Sequence, residues 1–161
     1  MRPCSPDRAP HSRPASPDRI SVLVVEDNLG TRKLICYALR ARYDVTEAAN
    51  YKAALEATRG RRFDVLLLDI NLGSTVTGLD LLQTLRTHPA HAEALALACT
   101  AYSAPQDRER FLREGFDYYL AKPFTVEELC ALVDEIAEVA RARKAAPSSP
   151  EALAPGSPPA P

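Results

Sequence analysis

Residues 63–69 read Phe-Asp-Val-Leu-Leu-Leu-Asp. Phe63 to Leu68 has the apolar character of a strand covered on both faces, and Asp69 stops it. A strand with one wet face would alternate apolar and polar side chains. This one does not, so it belongs in the middle of a sheet with helices above and below. Ile20 to Val25 is a second run of the same kind, and it ends in Glu26-Asp27.

Outward from these two strands, the period changes repeatedly. Residues 29–42 place Leu34, Ile35, Ala38 and Leu39 on one stripe of a helix. Tyr43 to Glu47 is a short strand, and Asn50 can cap a helix running to about Gly60. A helix from Gly78 carries Leu79, Leu82 and Leu85. Ala94 to Cys99 is a fourth strand. Ser103-x-x-Gln106 has the form of a capping box for a helix ending near Gly115. Tyr118 to Ala121 is a fifth strand. Thr125-x-x-Glu128 is a stronger capping box, followed by the stripe Leu129, Leu132, Val133, Ile136 and Ala140. Five strands alternating with five helices predict an α/β fold with a parallel sheet covered on both faces.

Composition sets the outer limits. The chain has 161 residues, 46% of them apolar and 25% charged, which is enough for one packed domain. A net charge of −1 gives no electrostatic case for nucleic acid as a partner. Cys4, Cys36, Cys99 and Cys130 form no Cys-x-x-Cys pair. The last three fall in apolar segments and read as small buried hydrophobes. With neither a signal-peptide pattern nor an apolar run of membrane-spanning length, a cytoplasmic protein is expected. Residues 1–18 are rich in Pro, Ser and Arg, with Arg2-Pro-Cys-Ser-Pro-Asp-Arg8 nearly repeated as Arg13-Pro-Ala-Ser-Pro-Asp-Arg19. They read as a disordered arm, and the Ala/Pro/Ser-rich residues 145–161 as a disordered tail. The folded domain is expected over 19–144.

In a doubly wound sheet, sites form beyond the carboxyl ends of the strands, near the point where strand order reverses. Here those ends are Glu26-Asp27, Asp69, Thr100 and Lys122-Pro123. Clustered carboxylates repel one another and raise at least one pKa. A hard divalent cation relieves that repulsion, and Mg²⁺ suits a site with a few carboxylates, waters and phosphate oxygens. A Lys supplies a compact positive charge and a Thr a hydroxyl, both fit for a phosphoryl group. Each residue has a plain structural alternative. An acidic pair can simply start a helix, an Asp can end a strand in a turn, and Lys-Pro can be a turn. The joint placement on four strand ends is what favours chemistry.

Val24-Val25-Glu26-Asp27-Asn28, Leu66-Leu67-Leu68-Asp69, Cys99-Thr100-Ala101 and Ala121-Lys122-Pro123-Phe124 closely resemble the receiver domain of two-component response regulators. The resemblance covers roughly residues 20–140. It implies a flavodoxin-like five-stranded sheet of order 2-1-3-4-5. It implies that Asp69 takes a phosphoryl group from a phosphohistidine on a histidine kinase or phosphotransfer protein. Mg²⁺ would be held by Asp27, by Glu26 mostly through water, by Asp69 and by the backbone carbonyl of Asn71. Lys122 would pair with Asp69 and then with the phosphoryl group, Thr100 would move to hydrogen-bond that group, and Tyr119 would be the aromatic switch. Tyr118 beside it should face the opposite side of the sheet. The Lys122–Pro123 bond would be cis, an isomer that proline makes accessible. The face of the fourth helix, fifth strand and fifth helix would engage a downstream protein. No output domain is expected after about residue 144, so the domain would signal through a partner or act as a phosphate sink or relay. Homodimerisation is left open.

The sequence also departs from the family. Many receivers carry an apolar residue and Pro three and four positions after the acceptor, where Leu72-Gly73 stands here. The following Ser74-Thr75-Val76-Thr77 is about one residue longer than usual. Three other readings compete. A Mg²⁺-dependent aspartyl-phosphate phosphohydrolase would need a second carboxylate as general acid, where Asn71 stands. A flavodoxin binding FMN would need a hydroxyl-rich loop where Glu26-Asp27 stand. A pseudo-receiver scaffold would not need the full polar set.

Overall fold

The computed structural model describes residues 19–146. The expected arm, and the tail apart from Ala145 and Ala146, lie outside the described residues. The elements in chain order are β1 (Ser21–Val25), α1 (Leu29–Leu39), β2 (Asp44–Ala48), α2 (Tyr51–Ala57), β3 (Val65–Leu68), α3 (Gly78–Arg86), β4 (Leu95–Thr100), α4 (Pro105–Arg113), β5 (Tyr118–Ala121) and α5 (Val126–Ala145). The strands form one sheet of order β2-β1-β3-β4-β5. All four pairings are parallel, the flavodoxin-like arrangement expected.

Strand alternation builds two cores. Val22 and Val24 of β1, Val65 and Leu67 of β3, and Leu95, Leu97 and Cys99 of β4 face one layer. There they meet Ile35, Cys36 and Leu39 of α1 and Leu129, Val133 and Ile136 of α5. Leu23, Val25, Leu66 and Leu68 face the other layer, with Ala96 and Ala98. Leu81, Leu82 and Leu85 of α3 and Phe111 of α4 cover them. Both faces of the central strands are thus dry, which is why these strands carry no polar alternation.

The element boundaries follow local chemistry. The Asn28 side chain accepts from the Thr31 N–H at 2.9 Å and starts α1. Asn50 does the same for α2, accepting from Ala53. α5 opens with Thr125 and Glu128 in a reciprocal capping box. α3 opens with one as well, from Thr77 and Asp80, which the sequence reading passed over.

Three expectations are corrected. α4 does not start on a Ser103–Gln106 box. Pro105 takes the first helical position, where a missing N–H costs nothing. Asp107 then reaches back to the Ala104 N–H at 3.3 Å. Leu34 is not part of the buried stripe of α1; it is 45% exposed, and the buried arc is Ile35, Cys36 and Leu39. β3 starts at Val65 rather than Phe63. Asp64 instead holds the foot of β1 with its carboxylate, accepting from the Ser21 N–H and hydroxyl at 2.8 Å each.

The cysteines largely match expectation. Cys36 and Cys99 are buried and Cys130 is half-buried, all free. Burial pushes the Cys36 thiol up to about 11 and the Cys99 thiol up to about 12. Both stay protonated at neutral pH and act as packing groups. No helix among the described residues is long and apolar enough to cross a membrane.

Candidate functional site

Sheet register assembles the site. Val25 pairs with Leu68, so the next residues, Glu26 and Asp69, leave the sheet side by side. The Asp69 N–H donates to the Val25 carbonyl at 2.9 Å, and the Glu26 N–H donates to Ala48 at 3.2 Å. Thr100 pairs with Ala121, and the Lys122 N–H donates to the Thr100 carbonyl at 2.8 Å. Backbone bonds therefore carry the ladder into the site and fix where each side chain begins. β1 and β3 flank the point where strand order reverses.

The carboxylates of Glu26, Asp27 and Asp69 place ligand atoms within 4.8 Å of one another. Lys122 Nζ donates to Glu26 Oε2 at 2.5 Å and to Asp69 Oδ2 at 3.0 Å. The Asn28 N–H donates to Glu26 Oε1 at 3.1 Å. Glu26 is only 1% exposed, Asp69 is buried, and Asp27 is open to solvent. Burial pushes the Glu26 carboxyl above its usual range; the Lys122 bond pulls it back and the Asp69 charge adds to the rise. Burial alone would lower the Lys122 pKa, but its bonds to Glu26 and Asp69 outweigh burial and raise it. The ammonium is locked in its charged form between two carboxylates.

These groups line a cleft of about 390 Å³ with Asn28, Thr31, Asn71, Thr100, Ala101 and Tyr102. Every site residue expected at a strand end is there except Tyr119 and Pro123. Thr100 is fully buried, and its Oγ1 accepts from the Tyr102 N–H at 3.3 Å. Tyr119 packs in the α2–α4 layer and Tyr118 in the opposite one, as alternation requires. The Tyr119 hydroxyl donates to the Tyr102 carbonyl, and its ring stacks on Phe111 at 6.4 Å between centroids. The Lys122–Pro123 peptide is cis.

Two glycines complete the site, and the sequence reading saw the need for neither contact. Gly78 begins α3 directly against the backbone of Asp69. A Cβ there would lie 2.1 Å from the Asp69 carbonyl oxygen, so no larger residue fits. Gly73 has φ +68°, and a Cβ there would lie 2.8 Å from Asp27 Oδ2. Only Gly73's departure from the family pattern pointed towards it.

Residues 22–134 match the family described as the response regulator receiver domain. The chain belongs to that family. Curated relatives agree. The receiver is 36% identical over 118 residues to the probable transcriptional regulatory protein TcrX of Mycobacterium tuberculosis, covering 73% of this chain and 49% of TcrX. It is 33% identical over 107 residues to the polar-differentiation response regulator DivK of Brucella anthropi, covering 66% of this chain and 86% of DivK. Among solved structures, the chemotaxis response regulator CheY4 of Vibrio cholerae matches with a TM-score of 0.68 and 27% identity. That match covers 73% of this chain and 98% of CheY4. The receiver spans about half the length of TcrX and nearly all of CheY4 and DivK. The chain therefore carries the receiver domain of a two-component system.

Proposed function

We propose that this receiver accepts a phosphoryl group on Asp69 and uses it as a conformational switch. The observation that carries the reading is the convergence of three carboxylates within 4.8 Å around an ammonium that bridges two of them. The donor set fits Mg²⁺. It consists of hard oxygen ligands, one of them solvent-facing, beside an open cleft with room for waters and phosphate oxygens. Glu26, Asp27, Asp69 and the Asn71 carbonyl would hold the ion, with Glu26 acting mostly through water because Lys122 and Asn28 already occupy its oxygens. When bound, the ion neutralises carboxylate and phosphoryl charge.

In the transfer, an Asp69 carboxylate oxygen attacks the phosphorus of a phosphohistidine. The O–P bond forms as the N–P bond breaks, and the electron pair returns to the imidazole nitrogen, which takes up a proton. Lys122 shifts from carboxylate to phosphoryl oxygen, and the Thr100 hydroxyl donates to another. Such steps need mainly positioning and charge neutralisation, which these groups supply. The protein is a phosphoacceptor with self-catalysed transfer and loss, rather than a turnover enzyme. Tyr119 and Tyr102 tie the Thr100 strand end to Phe111 of α4, so the α4–β5–α5 face is the output surface for a downstream protein. A histidine kinase or phosphotransfer protein is the donor, and the cytoplasm is the compartment that supplies it. A phosphohydrolase would need a general acid at position 71, and the Asn71 amide donates hydrogen bonds but does not give up a proton as a carboxylic acid does.

The test is intact mass after incubation with Mg²⁺ and acetyl phosphate. One base-labile phosphoryl adduct is expected, absent in Asp69→Asn and absent with chelator. An unchanged mass at saturating donor overturns the reading.

A further inference from the structure

We infer that Gly73 is a positioning residue for the Asp27 carboxylate, and through it for divalent-cation affinity. The inference rests on the Mg²⁺ reading above and deepens it. The loop after β3 is led back to the site by a short chain of bonds. The Asn71 N–H donates to Asp69 Oδ1 at 3.0 Å, and the Gly73 N–H donates to Asn71 Oδ1 at 3.1 Å. Leu72, between them, is buried in the α2–α4 layer. The far end of the loop is fixed by the Thr77–Asp80 box, where Asp80 Oδ2 accepts from the Thr77 N–H and hydroxyl at 2.7 Å each. The loop is pinned at both ends and has little freedom to retreat from Asp27.

A side chain at position 73 would meet one neighbour, Asp27 Oδ2 at 2.8 Å. That atom is the far end of a short, solvent-facing side chain. The carboxylate, not the backbone, is what gives way. Turning it moves a metal ligand without deleting it, and groups that orient ligands typically change metal affinity by 10–100-fold when altered.

Two other glycines separate the effects. Gly60 has nearly the same φ, +72°, with nothing within 4 Å of a Cβ. Ala at 60 therefore carries the left-handed strain alone. Ala at 73 carries that strain and the contact with Asp27. Gly78 stands apart, because its contact is with backbone that cannot turn aside.

The experiment is a Mg²⁺ titration of the full chain, followed by ¹H–¹⁵N NMR at amides near Asp27 and Asp69, alongside urea unfolding. Wild type and Gly60→Ala should bind with the same affinity, and Gly73→Ala about tenfold more weakly. Gly60→Ala and Gly73→Ala should lose similar stability. Gly73→Asn guards against misfolding, because Asn tolerates the left-handed region yet still brings a Cβ; it too should bind about tenfold more weakly. Wild-type affinity in both position-73 variants, or an equal loss in Gly60→Ala, overturns the inference. So does a Gly73→Asn chain that cannot fold, since the carboxylate is then not what yields. No Mg²⁺ response in the wild type overturns the metal reading and takes this inference with it.

Discussion

Lys122 Nζ lies between two carboxylates that come from different strands, 2.5 Å from Glu26 and 3.0 Å from Asp69. Single residues of this kind were readable from sequence because their chemistry is unusual at a strand end. The pairing of Lys122 with Asp69 followed from the family resemblance, but its contact with Glu26 did not, because Glu26 and Lys122 are 96 positions apart and only the sheet brings them together. The lack of room for a Cβ between Gly73 and Asp27 was equally hidden, since it depends on the path of one loop. His91 is a residue no motif flagged. It is buried, its Nδ1 has no hydrogen-bond partner, and its ring stacks on Phe63 at 6.2 Å between centroids. Burial pulls its pKa below the ordinary 6.5, with His88 and Arg62 adding to the fall and the Thr58 carbonyl partly offsetting it. The folded chain thus resists a proton that the unfolded chain accepts. Stability is complete above about pH 6.5 and is lost as pH falls from there through the lowered folded-state value. Glu47 and Asp134, whose pKa values are lowered from 4.5 and 3.8, lose their contributions only at more acid pH. His91→Phe should therefore flatten the drop in urea midpoint between pH 7.5 and 5.5. An unchanged drop would show that another group carries it.

Among the elements, the helix ends divide those the sequence specified well from those it did not. Thr125 and Glu128 satisfy each other's backbone donors, with the Glu128 N–H donating to Thr125 Oγ1 at 3.1 Å and the Thr125 N–H to Glu128 Oε2 at 2.7 Å. That box was legible because both residue types are strong and the spacing is exact for one turn. Thr125→Ala should cost about 1 kcal/mol, read as a lower urea midpoint with the slope unchanged. No change would mean that the packing of Leu129, Val133 and Ile136 alone sets where α5 begins. The start of α4 was misread because a Ser three residues before a Gln satisfies the same pattern. The fixed φ of Pro105 overrode it, and Asp107 became the partner. α4 buries a single residue, Phe111, within an aromatic group of Tyr102, Phe116 and Tyr119. Its other side chains hardly engage the core, so the helix has one apolar anchor, set beside the proposed switch tyrosine. The weak stripe Phe111–Leu112 hinted at this; the aromatic neighbours come from the segments that flank α4 and from β5, and only the fold turns their rings toward Phe111.

At the scale of the molecule, alternation of strand and helix was enough to read the architecture, because a parallel sheet leaves few ways to cover both faces. The site was legible to the same depth, since strand ends in such a sheet share one edge. If Mg²⁺ binds only the folded arrangement, it must stabilise the whole chain by mass action. At tenfold its dissociation constant the gain is about 1.4 kcal/mol. Urea unfolding with and without Mg²⁺ should show that gain in the wild type and lose it in Asp27→Asn. Equal gains in both would place the ion elsewhere. The sheet order has one more consequence, for the sequence of events as the chain is made. β1 is the first strand in the chain, so Glu26 and Asp27 are the first site residues to leave the ribosome, and Asp69 joins them when β3 pairs with β1. Lys122 is available only once β5 has closed the far edge against β4. A nascent chain short of that point holds its carboxylates together with no built-in counter-charge. Closing the sheet and balancing the charge of the site are thus one event, and the last strand to arrive brings both.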